Sequence, residues 1–300
     1  MHLPQDLVRK HVALALEEDL GERGDLSSEA VIPEERRVSG RILARRPGIL
    51  AGVDLARATF RQLDPEILFP EGKRDGEFFE PGEILLSIEG KARTLLAGER
   101  TALNFLQHLC GVATLTRSFV EALRGSGAIL LDTRKTTPGL RFLEKYAVKV
   151  GGGENHRFGL FDRVLLKENH FALSGNGLDA EGFQRTVAAA VDHSGHAGPV
   201  AVEVRDLEEA RAALEGGADI LLLDNFDLET LRRTVPILRE TARALDREVE
   251  IEASGGITLE NAAAVAASGV DRISVGALTH SAPAVDLSLL VEGLPFDGVS

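Results

Sequence analysis

The sequence predicts an α/β protein in two parts, an N-terminal α+β domain over residues 1–107 and an incomplete parallel α/β barrel over 108–285. Three observations carry this. The 300 residues are 44% apolar and 27% charged, which supplies a core and sets disorder aside, and the length suits one large domain or two smaller ones. The first hundred residues mix helical apolar spacing with alternating segments around a tight turn. From residue 128 on, short apolar runs rich in β-branched residues alternate with helix-length amphipathic segments, the pattern of parallel βαβ units.

In chain order, residues 5–18 have apolar residues at helical spacing and stop before Gly21. Over 38–49 the period changes to two, with Val38, Gly40, Ile42 and Ala44 alternating with polar neighbours, as in a half-buried strand. Residues 53–63 return to helical spacing. Glu80-Pro81-Gly82-Glu83 forms a turn before the strand-like run 84–88. A long helix is expected over 96–123, with Leu103, Leu106, Leu109, Ala113 and Val120 on or near one face, joining the domains near residue 107. Seven candidate strands follow, at 128–131, 147–150, 164–166, 200–204, 220–223, 249–253 and 272–275. Helical stretches fall at 207–214, 228–245 and 259–267. Too few residues follow 275 for another unit, so the barrel is incomplete or takes help from elsewhere; an open doubly wound sheet is the alternative. The tail 286–300 is available to pack back on the first domain.

Charge narrows the function classes. Asp and Glu number 47 against 34 Lys and Arg, a net charge of −13, which argues against nucleic acid or an anionic membrane as partner. No apolar run approaches the ~20 residues that span a bilayer. Acidic residues Asp6, Glu17, Glu18 and Asp19 surround the first apolar stripe, unlike a signal peptide. Cys110 is the single cysteine, so intramolecular disulfides and cysteine-based metal sites are excluded, and a reducing, cytoplasmic setting is expected. Against this acidity, only seven of the basic residues are lysines, and four of them, Lys135, Lys145, Lys149 and Lys167, fall in one window. Eight Lys/Arg and three Asp/Glu between 134 and 167 make a local +5.

The carboxyl ends of parallel strands form the active face of such folds, and nearly every candidate strand ends on a polar or glycine signal. The first ends in Asp132-Thr133-Arg134-Lys135, the second in Gly151-Gly152-Gly153-Glu154-Asn155-His156-Arg157, and the third in Lys167-Glu168-Asn169-His170. Glu203 lies in the fourth and Asp224 ends the fifth. Ser254-Gly255-Gly256 and Val275-Gly276-Ala277 end the last two. Arg134, Lys135, His156, Arg157 and Lys167 form a cationic group suited to carboxylates and phosphates, unless the arginines only pair with neighbouring acids. Glu203, inside an apolar run, needs a partner: a lysine, a ligand hydroxyl or a hydrated cation. Glycine turns of final barrel strands suit a phosphate. Together these residues suggest a phosphorylated sugar with further phosphates and a carboxylated co-substrate. No serine–histidine–acid arrangement and no histidine metal spacing is legible.

Three segments, LDTRKTTPGLRFLEKYAVKVGGGENHRFGLFDRVLLKENH, VEVRDLEEARAALEGGADILLLDNF and IEASGGITLENAAAVAASGVDRISVGALTHSAPAVDLSL, closely resemble the quinolinate phosphoribosyltransferase family. So do EEDLGERGDLSSEAV and GERTALNFLQHLCGVAT, so the resemblance covers nearly the whole chain. Glu168 departs from an expected Asp, and an aromatic residue expected before SGVD is absent. The resemblance implies the type II phosphoribosyltransferase fold, a sandwich-like N-terminal domain with an incomplete α/β barrel. It implies transfer of phosphoribose from phosphoribosyl pyrophosphate to quinolinate, giving nicotinate mononucleotide, pyrophosphate and CO2 with Mg2+. It further implies that Arg134, His156 and Arg157 bind quinolinate carboxylates, and that Lys135 and Lys167, beside Thr133, face the anionic groups of both substrates. Glu203 and Asp224 would hold the ribose hydroxyls and Mg2+, directly or through water, while Ser254–Gly256 and Val275–Ala277 would cradle the 5′-phosphate. Arg100 would reach into the site of a second subunit, in a homodimer or larger homo-oligomer. The alternatives are a paralogue of this fold with another substrate, a barrel that binds a phosphorylated ligand without consuming it, and a Schiff-base aldolase using Lys167.

Overall fold

The structure, a computed structural model, describes residues 3–195 and 198–293. Helix α1 (Gln5–Leu20) buries Val8, Val12 and Leu16, spaced by four, and stops at Gly21, whose φ is 50°. Helix α2 (Leu26–Val31) starts at Asp25, whose carboxylate accepts from the Ser27 and Ser28 amides at 3.1 Å. Strand β1 (Arg37–Ala44), β2 (Gly48–Ile49), α3 (Val53–Leu63), β3 (Phe78–Phe79), β4 (Ile84–Lys91) and α4 (Ala92–Ala122) follow. Then come β5 (Ile129–Leu131), α5 (Arg141–Gly151), β6 (Leu165–Leu166), α6 (Glu168–Leu173), α7 (Ala180–Ser194), β7 (Ala201–Val204), α8 (Leu207–Glu215) and β8 (Ile220–Asp224). The chain continues through α9 (Leu228–Ala244), β9 (Glu250–Ser254), α10 (Leu259–Ala266), β10 (Arg272–Ser274), α11 (Ala277–His280) and β11 (Leu287–Gly293).

Two compact units result. The first holds the described residues up to Arg117, residues Phe142–Gly152 and those from Ser281 onward; the second holds Ser118–Arg141 and Gly153–His280. This division differs from a cut at 107, because α4 stays with the first unit to Arg117 and α5 joins it there. In the first unit, β1 pairs antiparallel with both β4 and β11. The inward face of this sheet buries Val38, Ile42, Leu86 and Ile88 in one cluster with Leu95, Leu103 and Leu106 of α4. Burial alternates along β1, the period-two pattern of its sequence. Of the tail 286–300, residues 287–293 form β11, and 294–300 lie outside the described residues.

In the second unit, six parallel strands run in the order β5-β10-β9-β8-β7-β6. Strands β5 and β6, neighbours in sequence, stand at opposite edges of this order and leave the barrel incomplete. Asp179, Asp206 and Asp227 cap the helices α7, α8 and α9 through their carboxylates.

Six of the seven expected strands form; the run 147–150 does not. It lies in α5, whose buried residues include Leu143, Tyr146, Ala147 and Val148. A four-residue apolar run has no period of its own, so the glycines after it resemble a strand boundary when they end a helix. The second strand position is reduced to Glu154, which makes an isolated parallel bridge with Leu131 of β5. Gly151 serves packing: a Cβ there would stand 2.5 Å from the Ala113 carbonyl oxygen and 2.6 Å from Thr116 Cβ. Gly151→Ala is expected to destabilise the protein by about 1–3 kcal/mol through this overpacking, read as a lower midpoint in denaturant.

Candidate active site

At the carboxyl ends of the parallel strands a cavity of about 300 Å³ is lined by Thr133, Arg134, Lys135, His156, Arg157, Lys167, Glu203, Asp224, Ser254 and Ser274, with Leu165 and Leu222. All of these residues belong to the second unit. Leu165, Ala201, Ile220 and Leu222 form a small buried apolar cluster on the same strands. Short strands fix these positions because each polar side chain follows, or alternates with, residues whose burial sets the strand's facing.

The cationic side is built from three segments. After β5, the Lys135 amide donates to Thr133 Oγ1 at 3.0 Å, and Thr279 Oγ1 donates to the Lys135 carbonyl at 2.8 Å. Arg141 braces this loop, donating to Thr136 Oγ1 at 3.0 Å and to the carbonyls of Arg134 and Phe158 at 3.3 and 3.1 Å. The His156 amide donates to Asp132 Oδ1 at 2.8 Å, and Arg157 Nη1 donates to the Arg163 carbonyl at 3.0 Å. The buried Nε atoms of Arg134 and Arg157 have no hydrogen-bond partner among the described residues. Burial pulls the Arg157 guanidinium below the ordinary arginine pKa, and the charges of Arg134 and Arg163 add to this, opposed by Asp162. Both guanidinium groups line the cavity, where their planar fork suits an anionic ligand.

The +5 window is thus not one patch. Arg134, Lys135, Arg157 and Lys167 line the cavity, Arg141 braces it, and Lys145 is buried on α5 in the first unit.

On the acidic side, the Lys167 ammonium and the Glu203 carboxylate are in direct contact, with side-chain exposures of 45% and 11%. Glu203 therefore finds in Lys167 one of the partners its apolar strand requires. The Lys167 amide donates to His170 Nδ1 at 2.9 Å, which fixes the start of α6. Asp224 accepts from Asn225 Nδ2 at 2.9 Å, and the Asn225 amide donates to the Ser254 carbonyl at 2.8 Å. Asn225 takes this position with a φ of 56°, a left-handed conformation that asparagine tolerates better than most residues. Among the described residues no cluster of three His, Cys, Asp or Glu is placed to hold a metal ion.

The glycine turns divide unequally. Gly255 and Gly256 have φ values of 89° and 62°, and a Cβ on Gly255 would stand 2.2 Å from Asn225 Oδ1. At the other turn, the Val275 amide donates to the Leu131 carbonyl at 2.9 Å, so this donor is used within the sheet, and the turn's remaining donors are those of Gly276 and Ala277. Gly276 is flanked by Lys135 and His280, at 3.0 and 3.2 Å from where its Cβ would lie. Arg100 belongs to the first unit, exposed on α4. Cys110 is buried against Ala51, and burial pushes its thiol up to about 12, which removes it from chemistry. Tyr146, the lone tyrosine, donates its hydroxyl to Asp75 at 2.7 Å within the first unit, so it is committed there and not to an aldolase at Lys167. Arg141 and His280 are site neighbours with no role assigned from sequence, and Asp132 and Asn225 were legible only as parts of the strand-end motifs.

A family model for the C-terminal domain of quinolinate phosphoribosyl transferase matches residues 112–290, and one for its N-terminal domain matches 25–110. A nicotinate-nucleotide pyrophosphorylase (carboxylating) of Mycobacterium leprae is 43% identical over 95% of this chain and 97% of its own. The crystal structure of NadC from Streptococcus pyogenes aligns with a TM-score of 0.89 at 36% identity, covering 98% and 99% of the two chains. A nicotinate-nucleotide pyrophosphorylase structure from Francisella tularensis aligns with a TM-score of 0.86 at 37% identity, covering 97% and 98%.

Proposed function

Because the chain belongs to the quinolinate phosphoribosyltransferase family, we propose that it transfers phosphoribose from phosphoribosyl pyrophosphate to quinolinate, a step of NAD biosynthesis. The products are nicotinate mononucleotide, pyrophosphate and CO2. The observation that carries this reading is the convergence of Arg134, Lys135, Arg157 and Lys167 with Glu203 and Asp224 on one cavity. Both substrates are anionic; an acidic pocket would repel them, and a neutral one would leave their lost hydration uncompensated.

In this reading the unpartnered Nε donors of Arg134 and Arg157 grip quinolinate carboxylates, with His156 beside them. The quinolinate nitrogen attacks C1 of the ribose while the bond to the pyrophosphate oxygen breaks, and the pyrophosphate leaves with the electron pair. Positive charge developing on the ribose ring is stabilised by Glu203 and Asp224, and negative charge developing on the departing pyrophosphate by Lys135 and Lys167. Loss of CO2 from the carboxylate beside the new pyridinium nitrogen leaves an electron pair on that ring carbon, which then takes a proton. The protein's part is to hold two anions together and to neutralise them. Backbone amides of Ser254–Gly256 and of Gly276 and Ala277 would receive the 5′-phosphate.

Glu203 and Asp224 fit Mg2+ as two carboxylates that leave its other positions to phosphate and water, the donor set this ion takes in phosphate sites. When bound, it would neutralise part of the pyrophosphate charge. The reading extends to a homodimer or larger homo-oligomer in which Arg100 serves the site of a second copy, supported by its exposure on α4. It places the protein in the cytoplasm, supported by a sequence with a single cysteine and so no intramolecular disulfide; no helix among the described residues is long and apolar enough to cross a membrane.

Incubation with quinolinate, phosphoribosyl pyrophosphate and Mg2+ is expected to release CO2 and nicotinate mononucleotide in equal amounts, and chelation of the metal to stop it. Turnover of nicotinate but not quinolinate would point instead to a non-carboxylating relative. Gly255→Ala is expected to raise the KM for phosphoribosyl pyrophosphate at least about tenfold. The strain of a left-handed Cβ is joined there by displacement of Asn225. The KM for quinolinate should change far less, which steady-state kinetics will show.

A further inference from the structure

Strand β9 places Glu250, Glu252 and Ser254 at alternate positions, so they share a face. In the ladder, Glu252 stands between Leu222 of β8 and Arg272 of β10, one step below Ser254, which lines the cavity. Glu252 is completely buried, and neither carboxylate oxygen has a hydrogen-bond partner among the described residues. A buried carboxylate without partners is costly, and an apolar residue of similar size would serve a purely structural role at least as well.

Within ion-pair reach, though beyond hydrogen-bond distance, stands His156, whose Nε2 lies 3.6 Å from Glu252 Oε1. The other ring nitrogen, Nδ1, accepts the Arg157 amide at 2.8 Å. A nitrogen that accepts carries no proton, so the arrangement specifies the tautomer with hydrogen on Nε2, directed at Glu252. Three links therefore run in series: the Glu252 carboxylate, the His156 ring, and the backbone of Arg157, whose side chain lines the cavity. The charges of Arg272, Arg163 and Glu250 also act on Glu252, and the Ser274 hydroxyl lies near it without meeting hydrogen-bond geometry. Burial is the largest influence and raises the carboxyl above its ordinary range, opposed by the Ser274 hydroxyl and by the charges of Arg272 and Arg163.

We propose that Glu252 is a positioning residue: it fixes the tautomer and orientation of His156, and through the His156–Arg157 hydrogen bond it sets the aim of Arg157 at the carboxylated substrate. A carboxylate that orients a working imidazole from behind is a recurrent device, and its loss costs about 10–100-fold in metal sites. The proposal rests on the functional reading above, in which Arg157 grips quinolinate.

The test compares wild type with Glu252→Gln, Glu252→Asp and Glu252→Leu. Glutamine keeps an acceptor for Nε2–H, so its KM for quinolinate is expected to stay within about threefold of wild type. Leucine removes the acceptor and should raise that KM about tenfold or more, with the KM for phosphoribosyl pyrophosphate within about twofold. Aspartate withdraws the carboxylate by one methylene and should fall between, which covers the case in which leucine prevents folding. Nitrogen-15 spectra of the His156 ring give a readout without turnover: the Nε2–H tautomer in wild type and the glutamine variant, a mixture of tautomers in the leucine and aspartate variants. An unchanged quinolinate KM in both disruptive variants, an equal rise for both substrates, or an unchanged tautomer overturns the proposal. Absence of quinolinate turnover in wild type would instead overturn the functional reading, and the tautomer comparison would still decide the Glu252–His156 pair.

Discussion

Lys167→Ala is expected to lower kcat by roughly 10²–10³, the range seen when one preorganised electrostatic group is removed from a developing charge, with the fold intact. The ammonium is 45% exposed and the Glu203 carboxylate only 11%, so the two losses are not symmetric. Without Lys167, a nearly buried carboxylate is left facing an anionic substrate, and pyrophosphate loses a counter-charge at the moment it departs. Without Glu203, the ammonium can reach solvent, and the deficit falls on the ribose cation and on the Mg2+ that Glu203 would help to hold. Glu203→Gln is therefore expected to affect kcat, and Lys167→Ala both kcat and the KM for phosphoribosyl pyrophosphate. The double variant should lose less than the sum, with a coupling of about 0.5–3 kcal/mol for groups in contact. Lys135→Ala should behave as Lys167→Ala does. Near-normal turnover in both lysine variants, with normal circular dichroism, would remove these residues from the reaction.

Arg157→Lys is expected to fail almost as badly as Arg157→Ala. The charge survives, but the planar fork that meets a carboxylate with two donors does not. Arg157 is further constrained because its Nη1 is committed to the Arg163 carbonyl, leaving the buried Nε to the ligand. A lysine's three donors sit on one nitrogen and cannot be divided between separated acceptors in this way. Loss of a desolvated, hydrogen-bonded charge of this kind costs about 2–5 kcal/mol, or roughly 30- to 4,000-fold, expected mainly in kcat/KM for quinolinate. Direct titration with quinolinate, in the absence of the second substrate, separates this loss from an effect on chemistry.

Much of this architecture was legible because the strands of a parallel sheet are short, apolar and buried on both faces. Residues 129–131, 220–224 and 250–254 could be read as strands from their branched apolar residues alone, and Arg134, Lys167 and Asp224 stood out as polar residues at their ends. The misread run at 147–150 had the same local texture; only the eleven-residue span of α5, with Leu143 and Ala147 four apart, betrays the helix. Strand β11 was legible only as a tail, 286–300, able to pack back on the first domain; its strand form and register are set by β1 at the opposite end of the chain, which no local pattern encodes. The same limit applied to the supporting side chains. Glu252 reads as one more acid in an acidic protein, and Asn225 as an ordinary turn residue, until the fold places one against His156 and the other against Asp224.

Pairing β1 with β11 joins residues some 250 positions apart, as in the contact of Arg41 with Glu292 across a separation of 251. Synthesis at about 5–20 residues per second therefore leaves β1 with one bare edge for much of the time the chain is being made. The second unit, whose strands lie between 129 and 274, emerges entire before the first unit can close. A bare edge of this kind invites pairing with foreign strands. The domain begun first is thus the one finished last, and a premature stop between His280 and Leu287 would release a chain with its second unit entire and an open, adhesive sheet.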